Sequence, residues 1–157
     1  MTTRRSPRFY RLVGAFATTR LVTRVHPVLY RRLGARGILG RNLGVQNVIV
    51  ETTGWKTGKA REAPLYAFPD GDRLVVIGSN GGHGTLPAWI GNLRADPRAR
   101  VRGERDVRAV RAYEAQGDER GRLWQLVNDG YPGYDLYQEV TAYPIPVVVL
   151  EPARSEG

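Results

Sequence analysis

The sequence contains no cysteine, which removes disulfides and thiolate metal sites together. Two histidines, His26 and His83, stand far apart, so a structural zinc site finds no ligand set. No apolar run reaches the roughly 18 residues that a membrane-spanning helix needs. The arginine-flanked N-terminus shows no apolar stretch ending in a small-residue cleavage site, so no secretory signal is expected. Lysine is nearly absent too, with two lysines against 22 arginines. A length of 157 residues fits one domain at roughly 100–200 residues per domain, and a cytoplasmic protein is the expectation.

Acidic residues are missing from one end. Residues 1–41 hold ten arginines and no acid, while the remaining 116 residues hold 14 basic and 15 acidic groups. The net charge of +9 therefore belongs to a segment and not to the whole domain. Between residues 8 and 33, Phe9, Leu12, Val13, Phe16, Leu21, Val22, Val25, Leu29, Tyr30 and Leu33 recur at nearly helical spacing, with arginines mostly off that stripe. The pattern predicts a basic amphipathic helical segment over 1–44, broken near Pro27. Its apolar faces cap the following domain, lie on an anionic membrane surface at the inner face of the cell membrane, or do both. Nucleic acid is not an expected partner, because the aromatics are not interleaved with the arginines as a stacking platform requires.

From residue 45 the period shortens to two. Strands are predicted at Val45–Thr53, Ala63–Phe68, Leu74–Gly78, Arg98–Gly103, Val107–Tyr113 and Ile145–Leu150, with a turn at 69–72. A short helix is predicted over Leu86–Ala95, with Thr85 as its cap and Pro87 in its first turn, and another over Gly117–Asn128. Tyr131–Val140 reads as loop or brief helix, and 153–157 as a disordered tail. Six short strands with internal helices suggest a small barrel spanning 45–152, mainly β with helices.

Both lysines lie in the segment from Thr52 to Arg61, which predicts a cationic loop between two strands. Lysine offers a compact ammonium where arginine offers a planar fork, and Gly54 and Gly58 allow sharp turning and close approach to a ligand. Lys56, Thr57, Lys59 and Arg61 are candidate anion-binding residues. The segment is not a Walker A loop, because Gly54 and Gly58 are one residue too close and Ala60 replaces the metal-binding hydroxyl.

The second candidate element, Gly78–Gly84, follows a strand and precedes a helix without GxGxxG spacing, so no Rossmann site is indicated. Its glycines admit a ligand near the backbone, or they make a plain surface turn. His83 reads as a loop residue. Trp89 and Leu93 share a helix face and read as core. In the third element, Tyr131, Tyr134 and Tyr137 share one side of a helix, either as cover over a barrel end or as an aromatic lid that excludes water and donates hydrogen bonds.

Taken in order, Thr53-Gly-x-Lys-Thr-Gly-Lys-x-Arg61 with Pro64-Leu-Tyr66, Gly78-Ser-Asn-Gly-Gly82, Pro87-Ala-Trp-x-x-Asn-Leu-x-Ala-x-Pro97, Tyr131-Pro-x-Tyr134-x-x-Tyr137 and Ile145–Leu150 resemble the deazaflavin-dependent nitroreductases, a family of actinobacterial quinone and nitro reductases that use reduced coenzyme F420. The resemblance implies a split β-barrel, related to the FMN-binding split barrels. It also implies hydride transfer from the reduced coenzyme to a quinone or nitroaromatic acceptor. Carried over by position, Lys56 and Arg61 meet the coenzyme's phosphate and acidic tail, and Pro64 sits beside the groove. Ser79, Asn80, Gly81 and Gly82 line the ring and ribityl chain, and Ala88, Trp89 and Asn92 support from the helix. Tyr131, Tyr134 and Tyr137 form the lid, with Ser79 a hydrogen-bond donor near the reaction centre. A tyrosine of ordinary pKa stays protonated and can serve as proton donor, with none singled out. Two positions depart from the family pattern: Trp55 where a basic residue is common, and Tyr143 where arginine is usual. Other readings are a non-catalytic coenzyme-storage protein and an FMN-dependent oxidoreductase, as a monomer or a homodimer.

Overall fold

The computed structural model describes residues 46–131 and 133–154. The expected N-terminal helices, with their barrel-capping and membrane alternatives, lie outside the described residues, as do Pro132 and 155–157. Among the described residues no helix is long and apolar enough to cross a membrane.

Six strands form where apolar residues alternate or run together: β1 Gln46–Thr53, β2 Ala60–Asp70, β3 Arg73–Ile77, β4 Arg98–Arg102, β5 Val107–Glu114 and β6 Val147–Pro152. They close a barrel in the order β1-β2-β3-β6-β5-β4, with β4 returning to β1 and every pairing antiparallel. Strand β2 outruns its predicted span because pairing continues from Thr53↔Ala60 to Asp70↔Arg73. Pro69 and Asp70 therefore belong to the strand, and the turn shrinks to Gly71 and Asp72, with Gly71 at φ 66°.

Three helices complete the described chain: α1 Ala88–Ala95, α2 Gly117–Gly130 and α3 Gly133–Glu139. Helix α1 begins two residues later than predicted. Pro87 occupies the N-cap position in an extended conformation, and a proline also drives the residue before it away from helical angles. The Thr85 hydroxyl is no cap; it accepts from Asn80 Nδ2 at 2.8 Å. Helix α3 places most of the tyrosine segment in helix, with Tyr131 in the connection ahead of it.

Two cores follow from strand alternation. Val48, Val50, Ala67, Leu74, Val76, Val101, Val148 and Leu150 fill the barrel interior, with Trp89, Ile90 and Leu93 of α1 packed among them. Phe68, Val75, Ile77, Val147 and Val149 point outward and meet Leu123 and Val127 of α2 and Tyr134 and Tyr137 of α3. Strands β3 and β6 are thus buried on both faces, which is why 74–77 and 147–150 read as unbroken apolar runs.

One interruption positions the site. Strand β2 pairs with β1 along its whole first half, yet with β3 only from Ala67 to Asp70. Its stretch from Ala60 to Tyr66 has no strand on that side, so Pro64, which lacks an N–H, breaks no ladder there. The barrel is split at this point. Antiparallel order brings the β1–β2 loop, the turn after β3, α1 and the entry to β6 to the same end.

Candidate functional site

The β1–β2 loop is a tight hairpin. The Gly54 N–H donates to the Lys59 carbonyl at 2.8 Å, and the Gly54 carbonyl accepts from the N–H groups of Thr57 and Gly58 at 3.1 and 2.7 Å. Gly58, at φ 66°, supplies the left-handed residue that this closure requires. Asn92 of α1 holds the loop from beneath. Its Nδ2 donates to the Thr52 hydroxyl at 3.0 Å and its Oδ1 accepts from the Trp55 N–H at 3.1 Å. Both ends of this buried amide are therefore committed to protein groups.

The loop's cations are left over. Seven arginines elsewhere in the barrel, α1 and α2 pair with carboxylates within 4.0 Å. Among the described residues, Lys56, Lys59 and Arg61 make no such pair. Arg61 only donates to the Thr57 hydroxyl at 3.4 Å, and the Lys56 ammonium sits 4.9 Å from the centroid of the Trp55 ring. Three positive charges converge on one rigid hairpin with no acid to neutralise them, an arrangement that attracts an anion.

Across the split lies the turn after β3. Ser79 is right-handed, at φ −80°, and is followed by Asn80, Gly81 and Gly82 at φ 48°, 62° and 77°. A right-handed residue followed by a left-handed one turns consecutive N–H groups toward one point, a nest that takes an anion or a carbonyl oxygen. The N–H groups of Ser79, Asn80 and Gly81 find no acceptor among the described residues. The Asn80 side chain bonds to Thr85 and braces the turn.

The third element is a buried aromatic cluster. Tyr131, Tyr134 and Tyr137 are 1%, 4% and 3% exposed. The Tyr131 and Tyr137 hydroxyls are 2.9 Å apart, and Tyr134 meets both rings nearly edge-on at 5.1 and 6.1 Å. These phenols are not of ordinary acidity, as the sequence alone suggested. Burial raises all three, most strongly Tyr131 and Tyr134, so they stay protonated and act as hydrogen-bond groups. Thr141 donates its hydroxyl to the Tyr137 carbonyl at 2.7 Å, and Gln138 ties α3 to the approach to β6 through Tyr143 and Ile145.

The fold brings the glycine turn and the tyrosine cluster together, since Gly82 lies against the Tyr137 ring. Pro64 lies on the unpaired edge of β2, between the turn and the lysine loop. Ala88 is exposed at the start of α1, whereas Trp89 is turned into the barrel interior. The sequence reading quoted Tyr66 without giving it a role and passed over Gly91. Tyr66 shares the outer face of β2 with Pro64, sits 6.0 Å from Tyr131, and is also raised by burial; its spacing of two from Pro64 was the available signal. Gly91 lies under the Trp55 indole, a contact across 36 residues that no local pattern announces.

Comparison with known proteins gives the family. Residues 22–152 match the family model described as F420H(2)-dependent quinone reductase. An F420H(2)-dependent quinone reductase of Mycobacterium tuberculosis is 33% identical over 132 residues, covering 81% of this chain and 87% of the relative. The solved structure of an F420-H2 dependent reductase is 35% identical with a TM-score of 0.63, covering 67% of this chain and 93% of its own. Another solved chain, described as a domain-swapped dimer, is 30% identical with a TM-score of 0.66 and covers 83% of this chain and 96% of its own. With the family model spanning nearly all of the barrel and a relative one-third identical along most of its length, the chain belongs to the F420H(2)-dependent quinone reductase family.

Proposed function

We propose that this chain is an oxidoreductase that holds reduced coenzyme F420 in the split of the barrel and reduces a quinone. The observation that carries the reading is the set of unpaired cations, Lys56, Lys59 and Arg61, at the same end of the barrel as the turn whose Ser79, Asn80 and Gly81 N–H groups find no acceptor among the described residues, with the unpaired edge of β2 running from that hairpin. The residues fit the coenzyme in kind: ammonium and guanidinium groups for a phosphate and acidic tail, a nest for ring or ribityl oxygens, and Pro64 and Tyr66 as walls for a flat ring.

The chemistry that the bound coenzyme supplies is donation of a hydride from its reduced ring. The chain's own residues do the rest. Lys56, Thr57, Lys59 and Arg61 anchor the anionic end. Ser79, Asn80, Gly81 and Gly82 fix the ring plane, with Ala88 bordering it and Trp89 and Asn92 supporting from inside α1. Tyr131, Tyr134 and Tyr137 exclude water from the acceptor. The Tyr134 hydroxyl has no partner among the described residues and donates a hydrogen bond to the acceptor oxygen, with Ser79 donating from the other side. Because burial holds these phenols protonated, they polarise that oxygen and leave the final proton to come from solvent. Nitroaromatics, planar acceptors of the same hydride, belong to the proposed range. The segment 1–41, with ten arginines and no acid, suits an anionic membrane surface where lipid-soluble quinones reside.

The deciding experiment is a fluorescence titration with oxidised coenzyme F420, with FMN alongside. Saturable deazaflavin binding that weakens at least tenfold in Lys56→Ala and Arg61→Ala, followed by turnover with menadione, is expected. Preference for FMN would overturn the cofactor assignment. Tight binding without reduction of any quinone or nitro acceptor would make the chain a storage protein. Liposome binding that falls when Arg4, Arg5, Arg8 and Arg11 are replaced, with no DNA binding, is the expected result for the arm.

A further inference from the structure

Ile49 is fully buried, yet it points out of the barrel. Strand alternation sends Val48, Val50 and Thr52 inward, so Asn47, Ile49 and Glu51 face outward. Asn47 and Glu51 are half-buried, as an outer sheet face allows, but Ile49 is 0% exposed. It joins neither core. Helices α2 and α3 cover β3, β6 and the Tyr66–Phe68 end of β2, and α1 reaches β1 from the interior, through Thr52. In register beside Ile49 stand Pro64 on β2 and Arg102 on β4. Such neighbours flank a side chain within the sheet and do not lie over it. An outward isoleucine loses its last contact with water only under a second layer.

The arginines of β4 mark the edge of that layer. Arg98, Arg100 and Arg102 share the outer face, and their side chains are 80%, 61% and 24% exposed. Cover therefore begins between Arg100 and Arg102 and continues over Ile49 toward Glu62, which is 20% exposed.

The chain's own first segment is at hand to supply it. The chain enters β1 at Gln46, three residues before Ile49, with residues 1–45 ahead of it. The apolar stripe ends at Leu33, and the glycine-rich connection 34–45 can span up to about 40 Å when extended. That is ample for folding back onto the adjoining sheet face. The stripe's apolar side chains call for a surface to bury them. Glu51 and Glu62 border Ile49 with negative charge, against ten arginines and no acid in residues 1–41.

We propose that the apolar stripe of residues 9–33 docks over Ile49, on the outer face of β1, β2 and β4 of the same chain. An apolar face is buried only once. Docked on the barrel, it is not free to enter lipid, so the arm meets an anionic membrane through its arginines alone; this half rests on the membrane reading above. The attachment is then electrostatic and leaves the bilayer core unpenetrated.

Trypsin cuts after arginine, and residues 1–41 offer it ten arginines. In the full-length protein, release of the arm should be slow and independent of protein concentration. Ile49→Asp should speed it roughly tenfold or more, since cleavage follows the population of the undocked form. Leu12→Asp combined with Phe16→Asp leaves the barrel sequence intact and should do the same, so a folding defect in the first variant cannot imitate the result. Equal rates in all three proteins would overturn the proposal. So would protection that grows with protein concentration, as cover by a second copy requires. Wild type bound to phosphatidylglycerol vesicles in dilute salt should be released by about 0.5 M salt, where screening acts within a few ångströms. Binding that survives that salt, and is lost in the Leu12 and Phe16 variant, would put the stripe in lipid and overturn the proposal too. No vesicle binding with the arm still protected would sink the membrane reading and leave the docking in place. The coenzyme assignment is decided separately, by the titration above.

Discussion

Gly82 lies face to face with the Tyr137 ring: a Cβ built on this glycine would stand 2.5 Å from Tyr137 Cδ1 and 3.0 Å from Cε1. The turn proposed to seat the coenzyme and the helix carrying two of the three tyrosines are thus in direct contact, with no side chain between them. Gly82→Ala should cost about 1–3 kcal/mol, combining overpacking with the strain of a left-handed alanine at φ 77°. It should also lower turnover more than it weakens coenzyme binding, since Tyr137 must move. Urea unfolding, coenzyme titration and menadione reduction on one preparation would check this. A variant of unchanged stability and activity would show that the contact is slack.

Asn92 links α1 to the cationic hairpin from beneath by two hydrogen bonds. Replacing it with alanine removes both hydrogen bonds and leaves a buried Thr52 hydroxyl and the Trp55 N–H without their acceptor or donor. A loss of about 1–3 kcal/mol in stability is expected. Coenzyme affinity should fall several-fold as the three cations lose their common orientation, although Asn92 itself touches no ligand in this scheme. Rising KM for the coenzyme with nearly constant kcat would separate this anchoring role from a catalytic one.

The barrel was readable because each strand carries its period openly, and β3 and β6 announce burial on both faces by unbroken valine and isoleucine. The boundaries were less so. Pro69 looked like a turn residue, yet Pro69 still sits opposite Leu74 while the strand continues to Asp70↔Arg73. Thr85 looked like a helix cap, but Pro87 fixes the start of α1 two residues later and frees Thr85 to brace Asn80. The candidate site was legible as three separate elements. Their meeting was not, because it depends on where the β2–β3 ladder stops, and only tertiary pairing decides that. Burial of the tyrosines was equally invisible: a spacing of three fits a lid and a core face alike, and the difference in acidity follows from packing against Phe68, Tyr66 and Trp124.

Asp70 should govern the acid limb of stability. Arg122 donates to both of its oxygens at 2.8 and 3.0 Å, and Arg73 pairs with it as well. The Arg122 hydrogen bonds, helped by Arg73, hold its carboxyl down to about 2 from an ordinary 3.8. A folded-state pKa below the unfolded one means stability that is full above about pH 4 and is lost as pH falls toward 2. Asp70→Asn should remove that part of the acid limb and cost on the order of 1 kcal/mol at neutral pH, a modest figure because Arg122 is half exposed to solvent. Unfolding curves from pH 7 to pH 2 for both proteins test this; parallel curves would mean that another carboxylate sets the limb.

The Tyr131–Tyr137 hydroxyl pair makes the most discriminating prediction, because its two halves should not act independently. One hydrogen bond of 2.9 Å joins the two hydroxyls inside a cluster that water barely reaches. Tyr131→Phe or Tyr137→Phe removes one partner of a buried hydrogen bond and should cost about 1–2 kcal/mol. The double variant removes both and should cost clearly less than the sum, leaving a coupling of about 0.5–3 kcal/mol. The same burial raises both phenols above the ordinary tyrosine range, so the native protein keeps protons that the unfolded chain releases. Stability should therefore be full below pH 10 and decline above it, and the decline should be shallower in the double variant. Tyrosinate absorbance from these residues should appear only on unfolding. If the two single costs simply add, or if the alkaline limb is unchanged in the double variant, the hydroxyls do not form a working pair, and Thr141 and Gln138 take a larger share in orienting Tyr137 toward the coenzyme turn.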